Sequence, residues 1–163
     1  MASPTASNDI EFLSNHNIVE IVLNKSTNQK LLRSLIRFNR GDIVATFSAK
    51  SVVDKPNYLT VQVDHNKHIE LSPDFLQYTN HSCSPNVFYN TSTMQLIAIE
   101  EIKIGDEICF FYPSTEIDMA QPFICGCGSH CCLKEIKGAM HLDSEVLKKY
   151  KLSDFVRNQL SIQ

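Results

Sequence analysis

The sequence predicts a mainly β fold built of several small sheets and followed by one C-terminal helix. Three observations lead there. Five short runs rich in β-branched or aromatic residues, Ile18–Leu23, Asp42–Phe47, Tyr58–Val63, Met94–Ile99 and Glu107–Tyr112, crowd the chain ahead of Pro113. Polar turns separate them, two of them marked by Arg40-Gly41-Asp42 and Ile104-Gly105-Asp106. One long segment, Ser144 to Leu160, has helical spacing: Val146, Leu147, Tyr150, Phe155 and Leu160 recur on one face, Ser144 is placed to cap it, and a break is expected near Leu152-Ser153. Pro73–Tyr78 reads as a single helical turn leading into Asn80.

With 163 residues the chain has the size of one domain. Hydrophobic residues at 43% and charged residues at 20% are those of an ordinary globular protein, which excludes a disordered or fibrous chain. A formal charge of −3 argues against a dedicated nucleic-acid binder and suits a basic partner slightly better. No apolar run reaches the roughly 18 to 20 residues that span a bilayer. Met1–Asn8 lacks a secretory pattern, so an intracellular protein, nuclear or cytoplasmic, is expected. Met1–Asp9, small and polar with Pro4, reads as a disordered tail.

In a reducing compartment clustered cysteines point to metal before disulfides. Cys125-Gly126-Cys127-Gly128-Ser129-His130-Cys131-Cys132 packs four thiols into one short stretch, with glycines that let the backbone wrap closely around an ion. Such a density of thiols predicts tetrahedral zinc. The C-x-C-x4-C spacing supplies three ligands, Cys125, Cys127 and Cys132. Cys131 and His130 are local choices for the fourth; a ligand from the core, Cys83 foremost, would also dock this segment onto the domain.

Three motifs then carry a family resemblance. Asn80-His81-Ser82-Cys83-Ser84-Pro85-Asn86 resembles the N-H-S-C-x-P-N signature of SET domains, Gly105–Tyr112 resembles their G-E-E-L-T-F-D-Y strand, and the cysteine cluster resembles the post-SET element that follows both. The resemblance implies a SET-domain β-clip-like fold with a pseudoknot over 10–120, a post-SET zinc segment over 121–140 and a C-terminal helical extension over 141–163. It implies an S-adenosylmethionine-dependent protein-lysine methyltransferase, a monomer acting on a lysine-containing protein or peptide; a histone is allowed but not demanded. Asn80 and His81 would hold the cofactor, Phe123 would pack against it, and Cys83 would complete a structural Zn2+ site with Cys125, Cys127 and Cys132.

Methyl transfer from a sulfonium to an amine is an in-line displacement that needs a neutral nucleophile and exact approach, so orientation dominates. Tyr112 suits that work: a phenol with a pKa near 10 is a poor base at neutral pH, but its oxygen can orient the amine and face the electron-poor methyl group. Two departures from the family pattern matter. The usual G-x-G turn falls on Gln29-Lys30-Leu31, with no glycine; Lys30 or Arg33 then pairs with the cofactor carboxylate, or the loop is displaced. The acidic residue before the final tyrosine is Phe111. The stretch Ala49–Asn57 is far shorter than the peptide-holding insert of many histone methyltransferases, which turns attention for substrate contacts to Pro113–Phe123 and Ser144–Leu160. Two other readings remain: a degenerate SET fold that binds a peptide or partner, and an enzyme that methylates a small molecule.

Overall fold

Short strands with one apolar face can bury that face only by stacking small sheets on one another, and the chain does so five times. The computed structural model describes residues 9–162; all of the predicted tail except Asp9 lies outside them. β1 (Ile10–Asn15), β2 (Val19–Asn24) and β3 (Gln29–Ser34) form an antiparallel meander. Its second turn closes on Asn24, whose Oδ1 accepts from Ser26 N (3.0 Å) and Thr27 N (3.3 Å), and Asn28 takes a positive φ of 55°. β5 (Ser48–Val53), β6 (Thr60–Asp64) and β7 (Lys67–Ser72) form a second sheet in the order β5-β7-β6. β4 (Ile43–Thr46), β9 (Val87–Asn90) and β10 (Gln95–Ala98) form a third in the order β4-β10-β9.

Two two-stranded pairs complete the set. β8 (Asn80–His81) runs parallel to β11 (Cys109–Phe110), with Cys109 opposite Asn80 and Phe110 opposite His81. The β9–β10 hairpin separates the two in sequence, so distant segments meet side by side, as the expected pseudoknot requires. Asn86 clips them together: its Nδ2 donates to Glu107 O (2.8 Å) and its Oδ1 accepts from Cys109 N (2.9 Å). β12 (Phe123–Ile124) and β13 (Glu135–Ile136) bracket the cysteine cluster as an antiparallel pair. Val19, Leu32, Leu76, Val87, Tyr89, Leu96, Ile102 and Ile108 sit in one core where the sheets converge.

The C-terminal region corrects the sequence reading. The helix expected over Ser144–Leu160 is two short ones, α1 (Ser144–Leu147) and α2 (Asp154–Gln159), and the expected break near Leu152-Ser153 falls between them. Ser153 causes the restart, because its side chain accepts from Val156 N (3.2 Å) and caps a new helix. Ser144 does not cap α1; that position belongs to Asp143, which makes no side-chain cap bond. Pro73–Tyr78 does contain the expected turn, a 3-10 helix over Asp74–Tyr78. The Glu107–Tyr112 strand contracts to two residues.

Gly138 packs closely against the backbone of Ile117 and Asp118. Its φ is +121°, and a Cβ there would lie 2.6 Å from Ile117 O and 2.8 Å from Asp118 Cα. Gly138→Ala is therefore expected to cost about 2 kcal/mol or more and to lower Tm by roughly 4–8 °C in a calorimetric scan.

Candidate active site

The site grows from the β8–β11 pair. His81 is fixed by two contacts: its Nδ1 accepts from Tyr112 N (3.2 Å), which leaves the proton on Nε2, 3.3 Å from Cys83 Sγ. Burial pushes the imidazole pKa down to about 4, so the ring is neutral across the physiological range. Its neighbours are aromatic, with Tyr112 at 5.2 Å, Phe123 at 5.5 Å and Phe111 at 5.7 Å between ring centroids. Phe123 thus comes from the cysteine segment to lie against both His81 and Tyr112, the latter at 5.9 Å.

Asn80 points to the other side. Its Nδ2 donates to Lys30 O (2.9 Å) and to Glu107 Oε1 (3.1 Å), joining β3 to the segment before β11. Gln29-Lys30-Leu31 is no turn here: these residues open β3 in regular register with Leu31 opposite Val22. The two basic residues once open as alternatives now differ. Arg33 is held by Glu20, with Nη2–Oε1 at 2.6 Å, whereas the Lys30 ammonium lies 4.9 Å above the Tyr78 ring and makes no ion pair among the described residues. Asn80 thus bridges the Lys30 backbone carbonyl and a half-buried carboxylate, Glu107. Glu107 was missed from the sequence because it sits inside a motif read for its tyrosine.

Tyr112 follows β11 in a 3-10 turn over Tyr112–Ser114. Its hydroxyl donates to Thr79 O (3.3 Å) and its ring lies 4.7 Å from that of Phe110. Burial, reinforced by Cys109 and Glu107, pushes the phenol well above its ordinary pKa and keeps it protonated. Tyr112 also lines a half-open cavity of about 310 Å³, together with Phe110, Tyr89, Leu76, Phe123 and Glu116. Met119–Pro122 form part of that wall, as the sequence led one to expect of Pro113–Phe123. Ser144–Leu160 does not: none of its residues lines the cavity. The link between α1 and α2 instead brings Tyr150 flat against Phe111, with centroids 3.7 Å apart and rings 7° from parallel, and the Tyr150 hydroxyl donates to Cys83 O (2.9 Å).

The cysteines meet behind His81. The Sγ atoms of Cys83, Cys125, Cys127 and Cys132 all lie within 4.8 Å of one another, with Cys83 and Cys125 at 4.0 Å. Four thiolates about 2.3 Å from a tetrahedral ion stand roughly 3.8 Å apart, so the arrangement fits such an ion. Leu133 N donates to Cys83 Sγ (3.4 Å) and Cys127 N to Cys125 Sγ (3.4 Å), the outer contacts that orient sulfur ligands. Burial pushes Cys125 up to about 11, the response of thiols crowded into apolar surroundings; a divalent cation inverts it and takes them as thiolates. Cys131 stands outside the group, exposed and bonded to Ser129 Oγ at 2.9 Å, and Cys109 is a half-buried strand residue.

The comparisons with known proteins agree with this geometry. Residues 10–113 match the SET domain family. A methyltransferase of Aspergillus flavus, flvH, is 39% identical over 131 residues, covering 79% of this chain and 73% of the relative. A match that spans most of the chain, over the segments that carry Asn80, His81 and Tyr112, leaves one conclusion: the chain belongs to the SET domain family.

Proposed function

We infer that this protein is an S-adenosylmethionine-dependent methyltransferase that modifies the side-chain amine of lysine in a protein or peptide and carries one structural zinc ion. One observation bears most of that reading: the β8–β11 pair sets Asn80 and His81 beside Tyr112, and Tyr112 in turn lines a cavity. The relative named as a methyltransferase supports the reaction class.

The residues around β8 suit the cofactor. Lys30, whose ammonium lies over the Tyr78 ring and makes no ion pair among the described residues, is a cation available to the cofactor's carboxylate, and Asn80 ties the backbone carbonyl of Lys30 to the Glu107 carboxylate beside it. The neutral ring of His81, with Phe123 packed edge-on against it, provides an apolar corner for a purine. When bound, S-adenosylmethionine supplies a methyl group activated by a sulfonium.

Everything else falls to the chain. The aromatic cavity strips water from an incoming amine and so lowers its pKa toward the neutral, nucleophilic form. Tyr112, always a phenol here, aims the amine lone pair and lends its oxygen to the positive charge near the methyl group. A zinc ion held by Cys83, Cys125, Cys127 and Cys132 would anchor Phe123 at the site, because Phe123 in β12 lies two residues before Cys125.

Calorimetric titration of the zinc-loaded protein with S-adenosylmethionine is expected to give one site per chain, weakened about tenfold in Asn80→Ala. No binding at all would leave only a degenerate, partner-binding fold. A second substrate class is favoured by one observation: residues 54–59 join β5 to β6 directly, with no insert to clamp a peptide over the cavity. Labelled methyl groups offered with lysine peptides and with small alkyl amines separate the two; label on the small amines alone would refute the protein substrate.

A further inference from the structure

The cavity beside Tyr112 has one acidic wall residue, Glu116, and its position is unusual. The residue is only 8% exposed, yet it borders a space otherwise lined by Tyr112, Phe110, Tyr89, Leu71, Leu76 and other uncharged side chains. Its two oxygens are treated differently. Oε1 is engaged, accepting from Gln62 N (2.7 Å) and from Thr115 Oγ1 (3.4 Å). Oε2 accepts no hydrogen bond among the described residues; His68 Nε2 lies 3.6 Å from it, too long for one.

His68 does not neutralise the carboxylate. It is buried in β7, its Nδ1 has no partner among the described residues, and burial lowers its pKa, so the ring is neutral near pH 7. The other groups that face Glu116 are uncharged: Gln62 and Thr60 from β6, and Tyr112 and Thr115 from its own turn. The fold thus sets one carboxylate, with one oxygen fixed by Gln62 N, into the wall of a cavity whose other lining side chains are uncharged.

We propose that Glu116 is the receptor for the substrate's ammonium group, which its carboxylate meets at the cavity wall and whose proton it holds when the amine turns nucleophile. The inference rests on the methyltransferase reading above and names how that site selects its substrate: a primary alkylammonium and not a neutral alkyl group. The proton balance is simple. R–NH3+ and the carboxylate become R–NH2 and the carboxylic acid; the amine lone pair then forms the new N–CH3 bond as the C–S bond breaks, and Glu116 later returns the proton to water. In a low-dielectric cavity the charged pair is driven toward the neutral one, since desolvation raises a carboxyl and lowers an amine. Burial pushes the pKa of Glu116 up to about 7, which suits a group that must accept a proton near neutrality and release it again.

The probe is n-butylamine, a lysine side-chain mimic that stays protonated below pH 9, with 1-butanol as its neutral counterpart. Saturation-transfer NMR on the full-length zinc-loaded protein is expected to show butylammonium binding at least tenfold tighter than butanol. Glu116→Gln, whose amide oxygen keeps the bond from Gln62 N, is expected to erase that preference. In the unmodified protein butylammonium affinity should fall severalfold between pH 8 and pH 6, a measurement that needs no variant, and the acidic limb of kcat/KM near pH 7 should vanish in Glu116→Gln. A variant that keeps the ammonium preference, a flat affinity profile, or an unchanged acidic limb would each overturn the proposal. Failure of methyl transfer in the unmodified protein, with Glu116-dependent ammonium binding intact, would count against the methyltransferase reading alone.

Discussion

Cys127→Ser is expected to strip the protein of its zinc, from one ion per chain to nearly none by elemental analysis, and to open 121–140 to limited proteolysis. The physical reason is that a zinc ion at the proposed site would join segments distant in sequence: Cys83 and Cys125 lie 42 positions apart, and the pair β12–β13 that surrounds the cluster is two residues long on each side. Metal binding in small thiolate sites is worth on the order of 10 kcal/mol, most of which is lost with one ligand. The damage should reach the site, since Phe123 precedes the cluster by two positions and lies against both His81 and Tyr112. S-adenosylmethionine affinity should therefore fall in the same variant. Unchanged metal content would refute the four-cysteine assignment, and Cys131→Ser, outside the cluster, should leave metal content as it was.

Tyr112→Phe is expected to lower kcat by about 10²-fold or more while cofactor affinity stays within about threefold. Only the hydroxyl changes. The backbone bond from Tyr112 N to His81 Nδ1 and the ring contacts to Phe110 and Phe123 survive, so the fold should hold and Tm should barely move. The lost bond to Thr79 O, at 3.3 Å, is long and replaceable by water in a half-open cavity. Full activity in a well-folded Tyr112→Phe would show that orientation of the amine resides elsewhere, with Glu116 the first place to look.

The sequence made the site's motifs legible but not its walls. Asn80, His81, Cys83 and Tyr112 stand in patterns specific enough to be read directly, and the structure brings them together as expected. Strands were legible where β-branched residues cluster, as in β2, β4, β6 and β10, and illegible where they are polar. Gln29–Ser34 and Ser48–Val53 carry Gln, Lys, Ser and Arg, and pair only because a neighbour offers an edge. Glu116 and Glu107 gave no signal, since a single acid in a loop or turn is ordinary until the fold places it against a cavity or beside Asn80. His68 gave no signal either; it is buried together with the next residue, Ile69, because both faces of β7 are covered there. Tyr150 was read as one more residue on a helical face; its real place, stacked on Phe111, required the helix to break, and only Ser153 hinted that it would.

The parallel pairing of β8 with β11 also governs how the molecule must come together in time. Asn80 and Cys109 are adjacent in space but separated along the chain by a complete hairpin that belongs to another sheet, and neither two-residue strand has enough bonds to persist alone. The hairpin β9–β10 is local and can close in microseconds; the β8–β11 junction must await it and then pay the entropy of a long loop. Folding of this chain should therefore be slow for its size, with Asn86, whose side chain bridges the two segments, formed late.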